Sequence, residues 1–134
     1  MEVEGGCYCG DVRYRAEGEA AFKGQCHCRE CQYISGGSPN LVLALPEEGF
    51  AYTKGTPASF KRSDLENPVT REFCGNCGTH LRSIAPGLPL ALLKVGTLDN
   101  PADFVGPDMA IFTADSQPFH MVAEGVLSFE GMPG

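Results

Sequence analysis

Seven cysteines in three tight groups restrict this chain more than any other feature of its sequence. The groups are Cys7-Tyr8-Cys9-Gly10, Cys26-His27-Cys28-Arg29-Glu30-Cys31 and Cys74-Gly75-Asn76-Cys77-Gly78. An odd number cannot be consumed by disulfides within one chain. The opening Met1-Glu2-Val3-Glu4-Gly5-Gly6 is neither basic nor apolar, so no secretory leader is expected and the cytosol is the expected compartment. In that reducing setting, dense cysteine points to metal or redox chemistry. Zinc takes four thiolates in a tetrahedron at about 2.3 Å, which sets the sulfurs roughly 3.8 Å apart. A Cys-x-x-Cys turn followed by glycine meets that spacing, and Cys74 to Gly78 has all of those parts. A Cys-x-Cys pair on a strand projects both side chains from one face, so Cys7 and Cys9 suit the other half of a site.

The middle group is different. Cys26, Cys28 and Cys31 offer three local ligands, and a free fourth position separates a catalytic zinc from a structural one. Two other arrangements remain open on spacing alone. Cys74-x-x-Cys77 suits a redox dithiol, although no βαβ pattern surrounds it. Alternatively, Cys28-x-x-Cys31 and Cys74-x-x-Cys77 close a single ribbon site, with the remaining cysteines as spectators. Their separation exceeds the common spacing of about 15–20 residues.

The length of 134 residues suits a single domain over 1–134. Gly 17 and Pro 10 imply many turns and little room for long helices. Short strand-like runs lie at Val12–Ala16, Ala20–Gln25, Leu41–Leu45, Phe50–Thr53, Ser59–Arg62, Val69–Phe73, Leu81–Ile84, Leu90–Val95, Ala110–Thr113 and Val126–Phe129. The one helical turn expected begins at Asn100-Pro101-Ala102-Asp103. The expected class is therefore all-β, with little helix. A formal charge of -7 argues against nucleic acid as a partner. No run of about 18 apolar residues offers a membrane span.

Three stretches together resemble the glutathione-dependent formaldehyde-activating family, which includes centromere protein V. They are Gly6 to Tyr14, Cys26 to Cys31 with Ser35-Gly36 after it, and Phe73 to Thr79. The Val95-Gly96-Thr97-Leu98-Asp99-Asn100-Pro101 segment is also similar to the family's. The resemblance implies a β-tent zinc fold of several short antiparallel sheets, shared with methionine-R-sulfoxide reductases. It implies a structural zinc on Cys7, Cys9, Cys74 and Cys77, and a second, exchangeable zinc on Cys26, Cys28 and Cys31. It implies a carbon–sulfur lyase activity, in which glutathione and formaldehyde form or release S-hydroxymethylglutathione. The chain departs from the pattern at Gln32, where many relatives carry a basic residue, and at Ala110 and Phe119, where His and Trp are frequent; it has no Trp at all.

Zinc held by three thiolates is a soft site that prefers a fourth sulfur, and coordination deprotonates that thiol. A small thiol such as glutathione and a small aldehyde are the partners this chemistry implies. A zinc with four thiolates is a weak Lewis acid, so it positions a thiol better than it polarises a carbonyl. An anionic thiol needs local cations, and Arg29 is the nearest in sequence. His27 stands between two ligands and, on an extended segment, points away from the metal, as a packed imidazole or a proton shuttle. Both are candidate substrate contacts. Glu30 reads as an exposed turn carboxylate, and His80 and His120 as surface or core residues. The alternative to an enzyme is a non-catalytic zinc module with a structural or interaction role.

Overall fold

The computed structural model describes residues 1–133. The strands are β1 (Glu2–Gly6), β2 (Arg13–Glu17), β3 (Phe22–Cys26), β4 (Asn40–Pro46), β5 (Phe50–Lys54) and β6 (Ala58–Phe60). They continue as β7 (Thr70–Phe73), β8 (His80–Ile84), β9 (Leu90–Lys94), β10 (Met109–Ile111) and β11 (Leu127–Ser128). One α-helix, α1 (Arg29–Ser35), lies between β3 and β4. The all-β class holds. Two sheets form: a three-stranded one in the order β1-β2-β5, and an eight-stranded one in the order β11-β10-β3-β4-β9-β8-β7-β6. Pairing is antiparallel except around β10, which runs parallel to both β3 and β11.

Period-two alternation gives the large sheet two unlike faces. On one face Leu43, Leu45, Leu81, Ala91 and Leu93 meet Val3, Tyr14 and Ala16 of the small sheet, and this is the main core. Arg82 of β8 helps to join the layers. Its guanidinium bonds Glu47 and Glu72 at 2.5 and 2.6 Å and stands 4.1 Å over the Phe50 ring. The other face of the large sheet carries Cys26, Asn40, Val42, Leu92 and Lys94, and borders a cavity.

The Val95 to Pro101 segment has a mechanical role. Val95–Thr97 forms a 3₁₀ turn after β9, and the Thr97 hydroxyl lies 2.7 Å from the Tyr14 hydroxyl. Leu98 bridges to Gly5, and Asp99 pairs with Arg13 at 2.5 Å. A side chain at position 5 would overlap the Thr97 carbonyl oxygen and the Tyr14 hydroxyl, so glycine is required there.

Ten expected strand runs overlap observed strands, and β6 pairs with β7 across the loop containing Asn67-Pro68. The turn expected at Asn100 is a 3₁₀ helix at Pro101–Asp103. Beyond short 3₁₀ turns, one strand and one helix are additional. β1 lies in a Glu- and Gly-rich stretch where only Val3 and Gly5 turn inward. Helix α1 has Cys28 as its N-cap, with Sγ accepting the Cys31 N–H, and ends at Gly36 in the left-handed conformation. A sulfur cap lies outside the usual Ser, Thr, Asp and Asn set.

Candidate metal centres and the cavity beside them

The first sulfur cluster assembles from two turns distant in sequence. After β1, Cys7 N–H donates to the Val12 carbonyl at 3.0 Å and Gly10 N–H to the Cys7 carbonyl at 3.1 Å. After β7, Gly78 N–H donates to the Cys74 carbonyl at 2.8 Å and Cys74 N–H to the Thr79 carbonyl at 2.9 Å. The Thr79 hydroxyl ties the turns together, accepting Tyr8 N–H at 3.1 Å and standing 3.2 Å from Cys77 Sγ. The four sulfurs of Cys7, Cys9, Cys74 and Cys77 lie within 4.8 Å of one another; Cys7 to Cys9 is 3.6 Å and Cys9 to Cys74 is 3.8 Å. That matches the separation a tetrahedral zinc imposes.

Donors surround these sulfurs. Val12 N–H points at Cys7 Sγ, Asn76 and Cys77 N–H at Cys74 Sγ, and the Asn76 amide at Cys9 Sγ, all at 3.3–3.4 Å. Hydrogen bonds from the Thr79 side chain and backbone pull Cys77 down to about 5. Such bonds favour thiolates, the form a metal needs.

The second cluster is built from a strand end and a helix start. Cys26 closes β3, Cys28 caps α1, and Cys31 follows one turn later. Their sulfurs lie within 4.8 Å of one another, and among the described residues no fourth His, Cys, Asp or Glu donor joins them. Hydrogen bonding from Cys26 and Cys31 draws Cys28 down to about 2, and Cys26 is pushed well above the usual thiol value by that same Cys28 neighbour. Asn40 donates to Cys31 Sγ at 3.7 Å.

These cysteines line a cavity of about 410 Å³. It exposes the trio to two cations that the sequence did not single out. Lys94 is 8% exposed, and its Nζ donates to Ser83 Oγ at 2.8 Å. Burial lowers it to about 8, against the opposing pull of the cysteine thiolates. Arg71 donates to the same Ser83 oxygen at 3.0 Å and to Glu30 at 2.9 Å. A lone Lys inside the apolar run Leu90 to Val95 was the available signal; Arg71 and Ser83, in alternating strands, had none.

Arg29 and His27 lie elsewhere. The Arg29 guanidinium bonds Gln32 and stacks 5.1 Å from the Tyr33 ring on the outer side of α1, away from the cavity lining. His27 is fully buried and turns away from the trio, as an extended segment requires. Its Nδ1 lies 3.0 Å from His120 Nδ1 and its Nε2 3.0 Å from the Gln25 amide. Gln117 N–H donates to His120 Nδ1, which leaves His120 Nε2–H to donate to the Gly37 carbonyl at 2.8 Å. His27 then accepts the Gln25 amide at Nε2 and donates from Nδ1, which also lies 3.1 Å from the Ser116 hydroxyl. Burial, with His120 beside it, lowers His27. Gln32 joins the same network, donating to the His27 and Asp115 carbonyls at 2.9 and 3.0 Å. These bonds bind the segment after β10 to the ligand-bearing loop.

The fold and its two sulfur clusters define a cysteine-rich β protein with two candidate metal centres. A family model described as "Glutathione-dependent formaldehyde-activating enzyme" matches residues 2–115, and the chain belongs to that family. A protein of Halomonas elongata named for the same glutathione-dependent activity is 26% identical over 94 residues, covering 66% of this chain. The match spans 60% of that relative's length. A crystal structure of a Rhodobacter sphaeroides protein shares the fold, with a TM-score of 0.61 at 19% identity over 77% of this chain and 95% of that one. Among the described residues no helix is long and apolar enough to cross a membrane.

Proposed function

We propose that this chain, acting as one domain over 1–134 in the cytoplasm, is a zinc-dependent enzyme of the carbon–sulfur lyase type. It forms or cleaves an adduct between a thiol such as glutathione and an aldehyde, with S-hydroxymethylglutathione as the adduct the family description suggests. The reading rests on one observation: three sulfurs, with no fourth protein ligand among the described residues, line a cavity that also holds a buried lysine. In it, Cys7, Cys9, Cys74 and Cys77 hold a structural zinc, and Cys26, Cys28 and Cys31 an exchangeable one. Zinc at the trio would supply a soft cation that keeps the thiol sulfur ionised.

The chain's own residues do the rest. Register sets Lys94 beside Val42 on the sheet, one same-face row below the row of Cys26 and Asn40, roughly 7 Å along the strand. Lys94 and the trio line the same cavity. In cleavage, the adduct hydroxyl gives its proton to Lys94 Nζ, the carbonyl double bond forms, and the carbon–sulfur electron pair leaves with sulfur. In the reverse direction the thiolate attacks the carbonyl carbon and Lys94 returns the proton to oxygen. A value of about 8 lets that amine exchange a proton near neutral pH. Ser83 holds the amine in place, and Arg71 adds positive charge for an anionic thiol. His27 contributes by fixing the segment behind the trio, and Arg29 packs against Tyr33 on the outer face of α1.

The test is turnover of S-hydroxymethylglutathione by the zinc-loaded chain, beside Cys28→Ser and Lys94→Met. The reading expects both variants to lose at least about a hundredfold in kcat. Full activity in Cys28→Ser would overturn it.

A further inference from the structure

The walls of the trio's cavity carry more information than its ligands. Resting on the reading above, we infer that the adduct handled here bears an apolar group of several carbons, as supplied by a medium-chain alkanal, in place of formaldehyde's single carbon. The lining is dominated by Phe22, Val42, Val69, Leu92, Ile111 and Phe112. Its polar groups are few and largely engaged with one another. Lys94 and Arg71 share Ser83, Arg71 also holds Glu30, and Asn40 donates to Cys31. Glutathione brings two carboxylates, an ammonium and two amides, and burying these without partners is costly. A hydroxymethyl carbon, in turn, leaves most of about 410 Å³ of apolar space without contacts.

An apolar chain resolves both mismatches. Sulfur meets the trio, oxygen meets Lys94, the carbon chain covers the sheet face, and the polar tripeptide stays in water. Leu88 and Met132, 42% and 56% exposed, continue the apolar lining to the surface. The wall residue Phe112 is held at φ 54, a left-handed conformation found at no other non-glycine among the described residues. Such strain persists where the surrounding structure fixes a side chain's position.

The test uses the zinc-loaded full chain with glutathione and either formaldehyde or hexanal. Each methylene buried is expected to contribute about fourfold, so hexanal should exceed formaldehyde in kcat/KM by at least roughly tenfold. A second readout needs no turnover. 1-Hexanol, titrated into the same protein, should shift the methyl resonances of Val42, Leu92 and Ile111. Leu92→Phe and, independently, Val69→Phe should weaken that binding severalfold while the zinc content stays unchanged. Equal or better use of formaldehyde overturns this inference and leaves the lyase reading standing. No turnover with either aldehyde overturns the reading itself. Methyl shifts that follow protein concentration and ignore hexanol also overturn the inference, since a second copy would then fill the cavity.

Discussion

The two sulfur clusters use the same ligand and differ in what surrounds it. Cys7, Cys9, Cys74 and Cys77 come from two backbone turns stitched through Thr79 and Asn76, and their four sulfurs satisfy one another's geometry. Cys26, Cys28 and Cys31 come from one short stretch, and they line a cavity with Lys94. The first cluster joins parts of the chain remote in sequence, so a metal there would contribute folding energy. The second closes no such long loop. In the proposed reading, ligand number and loop closure together separate a clamp from a working site, and the surrounding residues decide what that site admits.

The contrast breaks first under cysteine substitution. Cys74→Ser should cost several kcal/mol, on the order of half the stability of a typical domain, because structural zinc binding is coupled to folding. Cys28→Ser should shift the thermal midpoint little. Circular dichroism melts of the two variants check this, and equal losses would erase the distinction. A finer probe is Thr79→Val, which removes the hydroxyl serving Tyr8 and Cys77. It should cost about 1–2 kcal/mol and speed zinc loss from the four-sulfur cluster only, as read by chelator competition.

Lys94→Met should act in the opposite sense at the trio. Replacing a buried amine whose hydrogen bond goes to Ser83 should stabilise the metal-free chain by about 1 kcal/mol at neutral pH while abolishing turnover. The sign with pH follows from a lysine lowered to about 8 from 10.5. Between those values the unfolded chain binds more protons, so wild-type stability gains on the variant as pH rises through that window. Denaturant melts of both proteins at pH 7 and pH 10 measure the difference, and parallel curves would contradict the buried-amine account. The smallest effect is expected at His120→Ala. It frees the Gly37 carbonyl and the Gln117 N–H and should cost about 1 kcal/mol, visible as faster amide exchange between residues 116 and 121.

Strands and cysteines were legible because both depend on local spacing. Alternation marked β2, and continuous apolar runs marked β4 and β9, which carry apolar residues on both faces. Helix α1 was not, since seven residues with a sulfur cap carry no periodic signature. Arg71 and Ser83 were invisible for another reason. Each reads as an ordinary outward residue of a polar strand, and only the register of β7 against β8 and β9 turns them toward the trio. The His27–His120 contact joins residues 93 apart, and two of the partners that fix it, the Gln117 N–H and the Gly37 carbonyl, are backbone groups that leave no mark on side-chain composition.

The most direct test counts zinc in the purified chain and in Cys28→Ser, with and without millimolar glutathione. The account predicts about two ions per wild-type chain, one of them readily lost, and one ion in the variant. It further predicts that glutathione alters the coordination spectrum of the wild type alone. A single ion per chain, unchanged by Cys28→Ser and indifferent to the thiol, would contradict it.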